Sequence, residues 1–167
     1  MQLFEVYNNP GLYIILAMRI RKVYIASDHA GFKLKQAVME WLDNQGVSYT
    51  DFGPYEGNQS VDYPDFAEKV GKAVHQQEDC CGILICGSGI GISIAANKMK
   101  GIRAALCSEP VSAELSRLHN NANIVCMAGR MIGVTMAQSI VSTFLKTSFD
   151  GGRHERRIQK IHVLEDK

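Results

Sequence analysis

The sequence predicts an α/β protein in which a five-stranded parallel sheet lies between two layers of helices, a three-layer, Rossmann-like sandwich. Short apolar runs alternate with amphipathic helical patterns from residue 22 onward, the order typical of strand–helix–strand units. The short runs are apolar throughout, as expected for strands that are buried on both faces of a parallel sheet. A length of 167 residues suits one such domain with a core of its own.

The elements follow one another in a regular order. The first helix carries apolar residues at helical spacing from Leu34 to Leu42 and ends at Gly46. The second helix starts near Pro64, where the missing N–H costs nothing. Further helices are predicted at 92–99, 110–119 and 134–145. Strands are predicted at 23–26, 47–52, 82–86, 102–107 and 124–128.

Three regions are expected along the chain. Residues 1–19 form an N-terminal extension outside the fold, with Met18 as the expected physiological start, and residues 20–150 form the α/β domain. The extension has neither the length of a membrane span nor the flanks of a signal peptide. Residues 151–167 form a basic helix that we expect to pack on a partner subunit. Its proposed docking stripe consists of Ile158, Ile161 and Leu164.

Composition excludes several classes of protein. The formal net charge is +1, so no global charge favours nucleic acid or a membrane surface. The five cysteines are an odd number with no Cys-x-x-Cys spacing, which argues against a disulfide framework and against a zinc site. Reduced thiols in the cytoplasm are expected, and four of the five are interpreted as buried small hydrophobic residues.

Polar and reactive residues follow the predicted strands. Asp28 and His29 follow the first strand, residues 86–91 the third, and Arg130 the fifth. Ligands of parallel α/β sheets bind at the carboxyl ends of the strands. The sequence therefore predicts a site at this edge, although Asp28 is also suited to capping the helix that follows.

The loop at residues 86–91 is the most informative segment. Its glycines at alternate positions let backbone N–H groups converge at the start of a helix, which makes an anion cradle. A thiol in that position ionises readily and can act as a base or nucleophile. The alternative, a structural cysteine beside a tight turn, stays open at this point. The loop does not match a cysteine-phosphatase loop, which needs an arginine where Ile92 stands, or a P-loop, or a dinucleotide-binding turn.

Two other features could carry chemistry. His119 opens a polar loop that we expect at the same edge of the sheet as Cys86, and its side chain is suited to proton transfer. Arg153 and Arg157 lie one helical turn apart and could grip a phosphate, although a basic run is more often a solvated face. The remaining histidines are placed on polar helix faces without a role: His75, His154 and His162.

Several segments together resemble the ribose-5-phosphate isomerase B family, which is grouped with the galactose-6-phosphate isomerase subunits. The resemblance spans about residues 20–165 in the expected order, and the N-terminal extension is the main departure. It is carried by the segments 26–31, 62–64, 85–98, 116–120 and 152–154. The family implies a three-layer α/β/α fold, no cofactor, and a homodimer whose sites are shared between subunits. It leaves open whether dimers pair into tetramers.

The resemblance also implies roles for individual residues. Cys86 is similar to the base that moves a proton between C1 and C2, and His119 to the acid that opens the sugar ring. Asp28 resembles a residue that assists at the ring oxygen or hydroxyls, and Asn120 a hydroxyl contact. Ser88 stands where many members have threonine, which keeps the hydroxyl. The implied anion hole consists of Gly87, Gly89, Ile90 and Gly91, with Tyr63 as a further substrate contact. The implied phosphate ligands are His29, Arg130, Arg153 and Arg157, the last two from the partner subunit.

The expected reaction is the interconversion of ribose 5-phosphate and ribulose 5-phosphate in the non-oxidative pentose phosphate pathway. The sequence offers no His/carboxylate cluster for a metal-assisted hydride shift, but it offers a base, an acid and N–H donors for an enediol route. Another branch of the family has Ser for the cysteine and Glu at the position of Ile92, so the resemblance is to the Cys branch. The alternative substrates are galactose 6-phosphate and allose 6-phosphate. The alternative of another class is a non-catalytic nucleotide- or flavin-binding module, which would have no need for Cys86 and His119 together.

Overall fold

Five strands form one parallel sheet. In the computed structural model, which describes residues 20, 22–75, 77 and 79–165, they are β1 (Lys22–Ser27), β2 (Tyr49–Asp51), β3 (Cys80–Cys86), β4 (Ala104–Leu106) and β5 (Ile124–Ala128). Their order across the sheet is β2-β1-β3-β5-β4, and every pair is parallel. The predicted five-stranded parallel sheet is confirmed. The prediction for residues 1–19 falls outside the described residues.

Helices cover both faces of this sheet. They are α1 (Phe32–Asn44), α2 (Tyr63–His75), α3 (Ile90–Ala96), α4 (Pro110–Asn120), α5 (Val134–Lys146) and α6 (Arg153–Leu164). Side chains of β1 alternate between the faces: Val23 and Ile25 pack with α1, α4 and α5, whereas Tyr24 and Ala26 pack with α2 and α3. The predicted three-layer sandwich is confirmed. No helix among the described residues is long and apolar enough to cross a bilayer.

The edge strands are shorter than predicted. β4 spans three residues where the sequence predicts 102–107, and β2 spans three where it predicts 47–52. The side chain of Asn97 accepts a hydrogen bond from the Ala104 N–H at 2.9 Å and donates one to the Ala104 carbonyl at 2.9 Å. One amide side chain therefore occupies backbone groups on the free edge of β4, which an apolar pattern does not reveal.

The C-terminal helix packs on its own chain over its first half. α6 lies against α4, and His154 and Ile158 are buried there. The expectation that Ile158 belongs to a free docking stripe is therefore wrong. Beyond it, Ile161, Val163 and Leu164 remain exposed, and docking of this end on a partner stays a prediction.

Candidate active site

A cleft of about 460 Å³ opens at the carboxyl edge of the sheet. Three adjacent strands, β1, β3 and β5, supply its polar residues because their carboxyl ends lie side by side. The predicted residues in its lining are Asp28, His29, Tyr63, Cys86, Gly87, Ser88, Gly91 and Arg130. The structure brings these residues together at one cleft, as the sequence predicts, and their roles stay predictions.

The glycine loop folds back over the Cys86 thiol. The Gly89 N–H donates to Cys86 Sγ at 3.2 Å, and Cys86 is buried and lines the cleft. Gly89 has a φ of 75° and is the N-cap of α3. The helix begins at Ile90, two residues earlier than predicted. A Cβ there would lie 2.4 Å from Leu106 Cδ1 and 2.9 Å from the Met127 carbonyl carbon. Both the dihedral angle and the packing therefore require glycine at the point where the N–H meets the sulfur.

Two further groups surround this loop. Ser88 Oγ accepts a hydrogen bond from the Ile90 N–H at 3.3 Å. The Tyr63 ring of α2 lies so close to Gly91 that a Cβ at Gly91 would be 2.6 Å from Tyr63 Cζ. The loop thus presents small residues to the cleft, and Tyr63 forms one of its walls.

The other four cysteines are poor candidates for a base. None of them lines the cleft, and all are buried and free, as Cys86 is. Burial raises the pKa of Cys81 to about 12 and raises the pKa values of the other three, most strongly for Cys126. The expectation that these four cysteines are buried is confirmed.

The turn after β1 fixes an acid and a histidine. Asp28 is buried, and its Oδ1 accepts a hydrogen bond from the Gly31 N–H at 2.9 Å, in the turn that leads into α1. His29 Nδ1 accepts a hydrogen bond from the Val61 N–H at 3.2 Å. Since a backbone N–H can only donate, the proton of the neutral ring lies on Nε2. His29 therefore has an N–H donor free for a ligand in the cleft.

Arg130 reaches the same cleft from the opposite side. The loop after β5 is joined to the loop after β3 by hydrogen bonds from the Gly129 N–H to the Cys86 carbonyl at 2.8 Å and from the Arg130 N–H to the Gly87 carbonyl at 3.1 Å. The guanidinium lies beside Gly87, within 3.8 Å of where a Cβ on that residue would be. Arg130 and His29 thus supply N–H donors at one cleft, the kind of pair that binds a phosphate.

His119 lies at the other edge of the sheet. α4 begins after the carboxyl end of β4, runs back for 11 residues and ends just before β5 begins. Because Ile124 pairs with Gly82 and Ala128 with Cys86, this end of α4 is separated from Cys86 by about 13 Å of strand. The prediction that His119 opens a loop at the carboxyl edge is wrong, since a helix between parallel strands ends at their amino edge.

His119 belongs to a second group of functional candidates, which we call the distal cluster: His119, Asn120, Arg153, His154 and Arg157. The His119 and His154 rings are stacked, with centroids 4.3 Å apart and planes 1° apart. Arg153 Nε donates to His154 Nε2 at 3.4 Å. The structure thus joins His119 to the two predicted phosphate ligands of α6 but not to Cys86.

His154 is the member of this cluster that the sequence analysis missed. It is 8% exposed, although its neighbours in sequence are charged. One signal could have found it: His154 lies four residues before Ile158, and residues with this spacing share a helix face. The face that buries Ile158 also buries His154.

The surroundings of His154 predict a pH-dependent stability. Burial lowers its pKa, and so do the positive charges of His119, Arg153 and Arg157, with Asp150 acting in the opposite sense. The unfolded chain therefore binds more protons than the folded chain as the pH falls below the ordinary value of about 6.5. We expect the free energy of unfolding to decrease over that range and His154→Asn to reduce the decrease. Thermal unfolding at pH 7.5 and pH 5.5 measures it, with the exposed His75→Asn as control. An equal loss in all three proteins would contradict this account.

The fold and the cleft are those of an α/β enzyme in which a thiol, a glycine loop and side-chain N–H donors meet at the carboxyl edge of the sheet. The chain belongs to the ribose/galactose isomerase family, whose model matches residues 23–161.

Curated and solved relatives agree with this assignment. The chain is 43% identical to ribose-5-phosphate isomerase B of Escherichia coli over 148 residues, 89% of this chain and 99% of that protein. A crystal structure of a ribose 5-phosphate isomerase from Thermotoga maritima superposes with a TM-score of 0.83 at 55% identity, covering 85% of this chain and 97% of that one. The structure of ribose-5-phosphate isomerase B from Mycoplasma genitalium, solved with bound ribulose 5-phosphate, superposes with a TM-score of 0.84 at 43% identity. The match covers 87% of this chain and 97% of that one.

Proposed function

We propose that this protein interconverts D-ribose 5-phosphate and D-ribulose 5-phosphate by proton transfer through an enediol. The observation that carries the proposal is the Cys86 thiol, which accepts the Gly89 N–H inside a cleft that also holds His29 and Arg130. The relative from Escherichia coli is named for this activity, and the one from Mycoplasma genitalium was solved with the ketose product.

In this mechanism Cys86 is the base. Its thiolate removes the proton from C2 of the open-chain aldose while the C1 carbonyl oxygen takes up negative charge and then a proton. The resulting enediol loses the proton of its C2 hydroxyl and receives one at C1, so that atoms and charge balance. Backbone N–H groups of the glycine loop other than those of Gly89 and Ile90, which bond Cys86 Sγ and Ser88 Oγ, stabilise the intermediate oxyanion. Ser88 and Asp28 contact the hydroxyl groups that exchange protons.

The phosphate is bound at the far end of the sugar chain. His29 donates from Nε2, the nitrogen left free by the hydrogen bond with Val61, and Arg130 supplies a guanidinium from the other side. Arg153 and Arg157 of the distal cluster complete the phosphate site, and His119 is the acid that opens the furanose ring. Asn120 contacts a sugar hydroxyl.

These roles require two chains. The cleft and the distal cluster lie at opposite edges of one sheet, so a single chain does not bring His119 to a substrate held at Cys86. Both nevertheless lie beside the outer strand β4, whose free side has no neighbouring strand among the described residues. At the carboxyl end of β4, Leu106 contacts Gly89 of the glycine loop. Asn120 of the distal cluster shares a groove of about 600 Å³ with Ala104 and Ala105 of β4. A two-fold axis that sets two β4 edges antiparallel would bring the distal cluster of each chain to the cleft of the other.

Exposed apolar side chains support an interface on this side. They lie on α3, β4 and α4, the elements around the β4 edge, and are Ile90, Ile94, Leu106, Val111 and Leu115, exposed by 42–59%. Such residues are candidates for burial between subunits. We therefore propose a homodimer with two shared sites. The free thiols support the proposal of a cytoplasmic protein, and the substrate pair supports a role in the non-oxidative pentose phosphate pathway.

A comparison of substrates tests this function. We expect kcat/KM for ribose 5-phosphate to exceed those for allose 6-phosphate and galactose 6-phosphate by about tenfold or more, because one additional carbon misplaces either the phosphate or C2. Initial rates with the purified protein on all three sugars measure it. A faster six-carbon reaction would assign the alternative substrate. Absence of turnover together with a retained nucleotide or flavin would favour the binding module.

A further inference from the structure

Lys35 is a buried cation next to the candidate active site. It lies in the second turn of α1 and is 1% exposed. Its Nζ lies 2.6 Å and 2.7 Å from the two carboxylate oxygens of Asp51, and it donates to the Pro54 carbonyl at 2.8 Å. Burial lowers its pKa, and Asp51 offsets this in part. Asp51 itself is only partly buried. Since burying a charge is costly and such a pair stabilises a fold little, the presence of Lys35 here calls for another reason.

The partners of Lys35 are in the segment that leads from β2 to α2, residues 51–62. Asp51 Oδ1 also accepts the Gly53 N–H at 2.8 Å, and the Tyr55 ring lies 5.9 Å from Lys35 Nζ. Further along, Gly57 packs on the Phe32 ring, where a Cβ would be 2.5 Å from Phe32 Cδ1. Side chains of α1 therefore hold this segment in place.

The same segment makes the hydrogen bond that orients His29. It ends next to α2 with Val61, whose N–H donates to His29 Nδ1 at 3.2 Å. Lys35 is also tied to the turn that carries His29, since its own N–H donates to the Gly31 carbonyl at 2.9 Å. Lys35 thus contacts both chain segments that meet at the His29–Val61 hydrogen bond, by its backbone on one side and by its ammonium group on the other.

We propose that Lys35 is a positioning residue for His29: the Lys35–Asp51 pair sets the distance between Val61 and His29 and so keeps the histidine proton on Nε2, toward the cleft. This inference rests on the proposed function, in which His29 binds the phosphate of the substrate. Without the pair, residues 51–62 shift, Nδ1 loses its donor, and the ring populates the other tautomer, which presents an acceptor to an anion.

The test uses Lys35→Met, which keeps the apolar stem and removes the ammonium group, and the exposed Lys33→Met on the same helix as control. Long-range ¹H–¹⁵N NMR of histidine-labelled protein reads the tautomer of His29 without substrate, with the signal assigned by its loss in His29→Asn. We expect wild type and Lys33→Met to show a protonated Nε2 and Lys35→Met a mixture. KM for ribose 5-phosphate should rise about tenfold in Lys35→Met, because the phosphate loses one hydrogen bond from His29. The kcat of this variant should stay within about twofold of the wild-type value.

A merely structural role would give a different result. If Lys35→Met lowers Tm but leaves both the tautomer and KM as in Lys33→Met, the proposal is overturned. Should Lys35→Met fail to fold, Asp51→Asn decides by the same two readouts, because it weakens the pair and keeps its shape. The NMR readout needs no turnover. A protein inactive on ribose 5-phosphate that still shows the tautomer change would therefore contradict the proposed function and support the positioning role.

Discussion

Cys86→Ala should lower kcat for the isomerisation of ribose 5-phosphate by about a thousandfold, within the range that a positioned general base supplies. In this mechanism the other side chains of the cleft have different tasks: Asp28 and Ser88 contact the hydroxyl groups, and His29 binds the phosphate. The change removes one buried sulfur at the end of β3, so the free energy of unfolding should fall by only about 1 kcal/mol. Affinity for the sugar phosphate should be nearly unchanged, because His29 and Arg130 remain.

Steady-state rates measure kcat, calorimetric titration with ribose 5-phosphate measures the affinity, and denaturant unfolding measures the stability. Cys126→Ala is the matched control: it removes a buried thiol from the same face of the neighbouring strand β5 and should retain near wild-type kcat. If Cys86→Ala keeps more than about a tenth of kcat, a different group is the base. If it loses binding instead, the thiol is needed for the shape of the cleft.

The sequence predicted the cleft well because the cleft follows from topology. Cys86 and Arg130 end neighbouring buried strands, and strands of that kind are recognisable from their uninterrupted apolar runs. The bounds of β5 agree with the prediction, since a strand with partners on both sides is apolar to both ends. The edge strand β4 was overestimated because only one side of it is paired, and the role of the Asn97 amide depends on contacts distant from any local pattern.

The position of His119 shows where sequence reasoning stopped. A polar residue after a helix indicates a loop, but which edge of the sheet the loop lies on depends on the direction of the helix. His154 and Lys35 were missed for a related reason. Both are polar residues on amphipathic helices, where polar side chains are normally exposed. The burial of His154 follows from the packing of α6 on α4, and that of Lys35 from the packing of α1 against residues 51–62.

Mixing two inactive variants should restore activity if the site is shared between subunits. One variant is Cys86→Ala, which damages the cleft, and the other is Arg153→Ala/Arg157→Ala, which damages the distal cluster. In a mixed dimer one site combines both defects, and the other combines an intact cleft with an intact distal cluster. Random exchange of equal amounts makes about half of the dimers mixed, so the mixture should reach about a quarter of wild-type activity.

A second mixture tests whether subunit exchange raises activity merely by stabilising the damaged proteins. His29→Asn, which damages the same cleft as Cys86→Ala, should restore nothing when it is mixed with Cys86→Ala, because every site then has a damaged cleft. Subunit exchange is followed by fluorescence transfer between labelled chains, and turnover is measured once exchange is complete. If the arginine variant exchanges fully with Cys86→Ala and activity stays absent, each site is built from one chain. His119 and its neighbours in the distal cluster would then have to act elsewhere than at Cys86.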